Sequence, residues 1–132
     1  MSDEFSISDS DLLALRKVLT EERRRMAQQV AELDRTYREL LEVFVQEVPD
    51  DEHDPDGTTA FERAQIRSLA KDARDRLADL ETSLALIDQV GFGRCGSCGK
   101  PIGIDRLMVR PESVRCVTCA ASGSVPRLGR RK

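Results

Sequence analysis

The only thiols in the chain are Cys95, Cys98, Cys116 and Cys119, which fall as C-x2-C, a gap of 17 residues, then C-x2-C. Thiolate sulfur is a soft ligand, and two such pairs can close a tetrahedron around a single ion with no position left open. The spacing predicts one structural zinc. Iron is the competing metal, because soft thiolates suit it too. Two disulfides are the metal-free alternative. They are not expected, since Met1-Ser-Asp-Glu-Phe-Ser is acidic and reads as no secretory leader. Gly96 and Gly99 suit tight knuckle turns that a β-carbon would disfavour. A closed site leaves no place for water or substrate, and no nucleophile–base pair is suggested elsewhere, so the chain reads as a non-enzyme.

The elements that must carry this knot are helical. Within 132 residues, 34 % are charged and 39 % hydrophobic, with four Phe, one Tyr and no Trp. That mixture fits long surface helices better than a large globular interior. Ser8-Asp9-Ser10-Asp11 marks a helix start, with Ser8 as cap and acids at the positive end of the dipole. An apolar seam then recurs as Leu12, Leu19, Met26, Leu33 and Leu40, interleaved with Val30, Tyr37 and Phe44. Arg16 and Arg23 hold the earlier positions of that second seam, which is expected to pack less tightly there. The first helix is expected to stop at Pro49, after roughly 60 Å. Thr59-Ala-Phe-Glu62 is a capping box for a second helix, with a seam of Ile66, Ala73, Leu80 and Ile87 and an interleaved row of Ala70, Leu77 and Leu84. That helix is expected to reach about Val90 and stop at Gly91. Two helices of matched length joined by a short turn must lie antiparallel, because neither can bury its seam alone.

The fold class is therefore mostly α: a long antiparallel helical hairpin, or coiled coil, followed by a small C4 zinc finger. The expected organisation is a flexible N-terminus at 1–8, a hairpin at 9–91 with an acidic tip at 49–57, a finger at 92–120 and a basic flexible tail at 121–132. Within the finger, Pro101-Ile-Gly-Ile reads as strand-like and Asp105–Arg110 as one helical turn. The tip region carries six acids from Glu47 to Asp56 and no Lys or Arg. Left to composition alone, such a run is a solvated turn.

The string Phe92-Gly93-x-Cys95-x-Ser97-Cys98-Gly99-x-x-Ile102-Gly103-Ile104-x-Arg106-Leu107-x-x-Arg110-Pro111, followed by Cys116-x-x-Cys119, resembles the zinc-finger signature of the DksA/TraR family. A helical hairpin directly before it matches the longer members, so the resemblance covers about residues 10 to 120. It implies a cytoplasmic transcription regulator that binds bacterial RNA polymerase. The hairpin would enter the secondary channel, carry its acidic tip towards the catalytic centre and alter promoter-complex stability. By position, Asp51-x-x-Asp54-x-Asp56 matches the family's D-x-x-D-x-A tip, with Asp56 in place of Ala. Arg110 matches a family basic residue, and Arg106 is a second candidate for polymerase or alarmone contact; Lys100, like Arg106, is a candidate for a weak phosphate or RNA contact. Ala120 and Asp79 stand where DksA-type members have lysines, so tight binding of the alarmone ppGpp is not expected.

Other readings remain beside this one. A nucleic-acid-binding zinc ribbon or adaptor with a helical spacer is the alternative, but the net charge of −3 opposes direct sequence-specific DNA binding. Glu52-x-Asp54-x-Asp56-Gly57 imitates half of a calcium loop, with Arg63 where its final Glu belongs. His53, the lone histidine, reads as exposed. The seams are expected to pair within one chain, giving a monomer, with dimerisation as the competing use. Arg127, Arg130, Arg131 and Lys132 read as a soluble end. No apolar run is long enough to span a bilayer.

Overall fold

The computed structural model describes residues 7–47 and 58–123. The acidic tip, with Asp51, Asp54, Asp56 and His53, and the tail beyond Gly123 lie outside them. Four helices follow one another: α1 (Asp9–Glu47), α2 (Thr58–Leu86), α3 (Ile104–Val109) and α4 (Val117–Ser122). Among the described residues there is no strand, only an isolated antiparallel bridge between Arg94 and Pro101. None of these helices is long and apolar enough to cross a membrane.

The chain forms two compact units, one of Arg24–Ala78 and one of Met1–Arg23 with Asp79–Lys132. In the first unit, α1 and α2 run antiparallel, with partners ascending on one helix and descending on the other. Arg74 meets Asp34 at 3.3 Å, and Arg67 donates to the Tyr37 hydroxyl at 2.7 Å. The Arg67 guanidinium also lies 5.4 Å from the Tyr37 ring centroid, a cation–π distance. Met26, Ala70 and Ala73 are buried, while Val30, Leu33, Leu40, Ile66 and Leu77 are half-buried. The core here is thin and rests on small residues.

The second unit holds the better-packed core. Leu15, Leu19, Leu80 and Ile87 are essentially inaccessible, joined by Leu107 and Pro111 from the finger. The start of α1 is capped as its sequence suggests, with the Asp11 N–H donating to Ser8 Oγ at 3.1 Å. Arg16 and Arg23 reach acids just beyond and on α2 instead of leaving a gap. Arg16 chelates both Asp88 oxygens at 2.7 and 2.8 Å, and Arg23 meets Glu81 at 3.3 Å. Leu15, not expected in the seam, supplies the apolar contact that the arginines cannot.

Three local expectations are corrected. Helix α2 stops at Leu86, short of Val90, and turn bonds from Gln89 N–H to the Leu86 carbonyl and from Phe92 N–H to the Gln89 carbonyl take over. Val90 is fully exposed, so no burial holds a further helical turn. Pro101-Ile-Gly-Ile forms no strand beyond the single bridge, because Pro101 has no N–H and Gly103 turns to φ +103°. Ala121 and Ser122 continue α4 rather than joining a flexible tail, and Gly123 at φ +81° closes the helix.

Gly93 ties the chain start to the finger. Its φ is +95°, and an added Cβ would stand 2.8 Å from Ile7 Cδ1 and 3.7 Å from Leu107 Cδ1. Gly99 has a similar φ of +81° with nothing near its missing side chain. Gly99→Ala therefore introduces backbone strain alone, whereas Gly93→Ala adds displacement of Ile7. Denaturant titration is expected to give a loss above about 1 kcal/mol at Gly93 and a smaller one at Gly99. Equal losses would mean that the Ile7 contact contributes nothing.

Candidate metal centre

Two short turns present the four sulfurs. In the first, the Cys95 N–H donates to the Lys100 carbonyl at 2.7 Å and the Gly99 N–H to the Cys95 carbonyl at 2.9 Å. These bonds fold Cys95 and Cys98 onto one side, and Arg94 closes the turn from outside through Nη1 to the Gly99 carbonyl at 2.8 Å. Only Gly99 of the two knuckle glycines adopts a positive φ; Gly96 instead donates its N–H to the Val114 carbonyl at 2.7 Å. That bond joins the first turn to the approach of the second. In the second turn, Cys116 caps α4 and its sulfur accepts the Cys119 N–H at 3.5 Å. Arg106 braces this turn by donating Nε to the Arg115 carbonyl at 3.0 Å.

The sulfurs of Cys95, Cys98, Cys116 and Cys119 all lie within 4.8 Å of one another. Zinc–thiolate bonds of about 2.3 Å require tetrahedral edges near 3.8 Å, and Cys98 Sγ stands 3.9 Å from Cys116 Sγ. All four cysteines are free thiols, which sets the disulfide alternative aside. The donor set fits one zinc ion, whose contribution is structural: it joins the two turns.

The thiols are unequally ready for metal. Burial pushes the Cys95 thiol up, but N–H groups of Cys116, Cys98 and Ser97 outweigh it and hold the group down at about 6. Cys119 is pushed up to about 12, first by burial and then by hydrogen bonds with Cys116, Cys95 and Cys98. The negative charge of the cluster therefore settles more readily on Cys95, whereas Cys119 holds its proton more tightly and gives it up to an incoming cation. Zinc uptake by the reduced, metal-free chain is expected to release that proton. Each displaced proton weakens apparent affinity about tenfold per unit of acidification. A pH-indicator titration with zinc at several pH values checks this; proton-neutral uptake would contradict it.

Arg110 and Arg106, proposed as contacts from sequence, sit differently. Arg110 is exposed and ion-paired through Nη2 to Glu112 at 3.2 Å, whereas Arg106 is engaged with the second turn. Arg94 and Glu112 are site-shaping residues that spacing did not point to; an arginine directly before the first cysteine was the available signal for one of them.

Residues 91–122 match the prokaryotic dksA/traR C4-type zinc finger. A Haemophilus influenzae protein described as RNA polymerase-binding transcription factor DksA is 29 % identical over 118 residues, covering 89 % of this chain and 77 % of that one. The finger is of the DksA/TraR type, and the similarity to DksA proteins runs beyond it into the helices. The Escherichia coli K12 DksA is 35 % identical over 69 residues, and that alignment spans 46 % of its length, less than half of the relative. Among solved structures, transcription factor DksA2 from Pseudomonas aeruginosa superposes with a TM-score of 0.70 at 22 % identity, covering 88 % of this chain and 84 % of that one. At that identity the likeness speaks for the fold. The four cysteines of this finger are positioned to bind one metal ion.

Proposed function

We propose that the chain is a transcription regulator that binds bacterial RNA polymerase and inserts its helical hairpin into the secondary channel. There the tip acids Asp51 and Asp54, with Asp56 beside them, meet the charged surroundings of the catalytic centre. The observation that carries this reading is the 118-residue alignment to a relative described as polymerase-binding. It is far longer than the finger match at 91–122, so the resemblance extends into the helices. Antiparallel pairing of α1 and α2 on either side of residues 49–57 supports it further, because that pairing is what would hold the acids at one end.

In this reading the protein makes and breaks no bond. It favours one polymerase conformation by its differential contact energy, and promoter complexes shift in lifetime accordingly. The finger contributes Arg110 as an exposed cation, while Arg106 acts by bracing the second cysteine turn. Asp79 and Ala120, in place of lysines, disfavour a ppGpp site of the family kind. The protein works in the cytoplasm as a monomer.

The test is co-migration of the purified, zinc-loaded chain with core polymerase, together with promoter-complex lifetimes. Asp51→Asn combined with Asp54→Asn is expected to keep binding and lose the effect on lifetime. No co-migration of the unaltered chain removes the reading. Loss of binding in the double variant removes the role given to the tip.

A further inference from the structure

Beside the metal turns, and within the same compact unit, the end of α2 and the finger enclose a cavity of about 600 Å³. That volume lies in the range of small-molecule sites, about 300–1,000 Å³. Leu86, Phe92, Ile102 and Val114 give it apolar walls. Its acidic groups are Glu112 and Asp79, beside the neutral Thr82, Ser83, Gln89 and Ser113. Glu112 lines it and is only 7 % exposed, with its Arg110 partner lying largely in solvent. Ser113 Oγ, also in the lining, is buried and has no hydrogen-bond partner among the described residues. Asp79 stands exposed at the rim. Arg94 is the one base among the described lining residues, and its Nη1 is already committed to the Gly99 carbonyl.

We propose that this cavity binds a small organic cation with an apolar body, an aryl- or alkylamine. Its walls take the hydrocarbon, and Glu112 and Ser113 accept from the ammonium, which satisfies a buried hydroxyl that otherwise lacks a partner. A charge-assisted bond to a nearly inaccessible carboxylate is the strongest single polar contact the site offers. Within the described lining two carboxylates outnumber one guanidinium, with Arg110 pairing Glu112 from outside it, a balance that favours a cation over a phosphate or carboxylate. Cys95, one of the four metal-binding thiols, is also in the lining, and occupancy can be read without polymerase.

The probe is 2-phenylethylamine, titrated into the full zinc-loaded chain and followed by amide NMR shifts, with 2-phenylethanol and phenylacetate as neutral and anionic counterparts. Saturable shifts are expected at Phe92, Ile102, Ser113 and Val114, with the amine at least about tenfold tighter than phenylacetate. Glu112→Gln is expected to abolish that preference. Because Glu112 is buried, Asp79→Lys on the exposed face of α2 provides a second arm that keeps the fold. It should weaken the amine severalfold, and Thr82→Trp at the rim should block all three probes. Zinc content is measured throughout, so loss of metal to the amine is seen directly. Equal affinity for the three probes, shifts confined to other surfaces, or no saturable shift overturns the proposal.

Discussion

Replacing Cys95 with serine is expected to release the zinc and unfold the finger while leaving most of the α1 and α2 helical signal in place. Cys95 is the most buried of the four ligands, at 3 % exposed, and the Ser97 N–H is directed at its sulfur at 3.3 Å. A hydroxyl there is a harder, shorter donor that stays protonated, so one edge of the tetrahedron is lost. Little else holds this segment: α3 and α4 have six residues each, far below the length at which helices persist unaided. Structural zinc supplies about 10–16 kcal/mol in isolated fingers, more than the apolar contacts of Ile102 and Leu107 can replace. The checks are metal content per chain and amide dispersion for residues 91–122. A variant that keeps a full equivalent of zinc and an unchanged finger spectrum would refute the structural role.

The second large effect is expected at Leu80. Its side chain is fully inaccessible, as are those of Leu15 and Leu19 in the same unit. Leu80→Ala removes buried methyl groups and leaves a void that helices braced by Arg16–Asp88 and Arg23–Glu81 cannot easily close. The expected loss is about 2–5 kcal/mol, read as a lower denaturant midpoint at unchanged slope. Leu13→Ala is the control, because Leu13 is 60 % exposed and should change stability by less than about 0.5 kcal/mol. If the two variants behaved alike, the antiparallel core as described would be wrong.

The cysteine cluster was legible in the sequence because metal ligation is a local demand: two ligands three residues apart must share a turn. The start of α1 was equally readable, since Ser8 caps by a bond to a residue three positions on. Leu15 was not. Glu22 and Gln29 follow it at heptad spacing, so it belongs to no continuing stripe, and only the partner helix reveals its burial. The end of α2 was misjudged because Gly91 is a natural stop, whereas the helix yields earlier, where Val90 finds nothing to cover it. Glu112 and Ser113 look like ordinary loop residues until α2 is folded against them, and their cavity depends on residues distant in sequence.

Ile7 lying over Gly93 has a consequence for biosynthesis. The residue that anchors the beginning of α1 leaves the ribosome early, and its binding surface emerges only after both long helices have been made. Until the ribosome delivers the finger, and until metal is available to set it, that isoleucine has no counterpart, so the ordered base is among the last parts of the molecule to assemble.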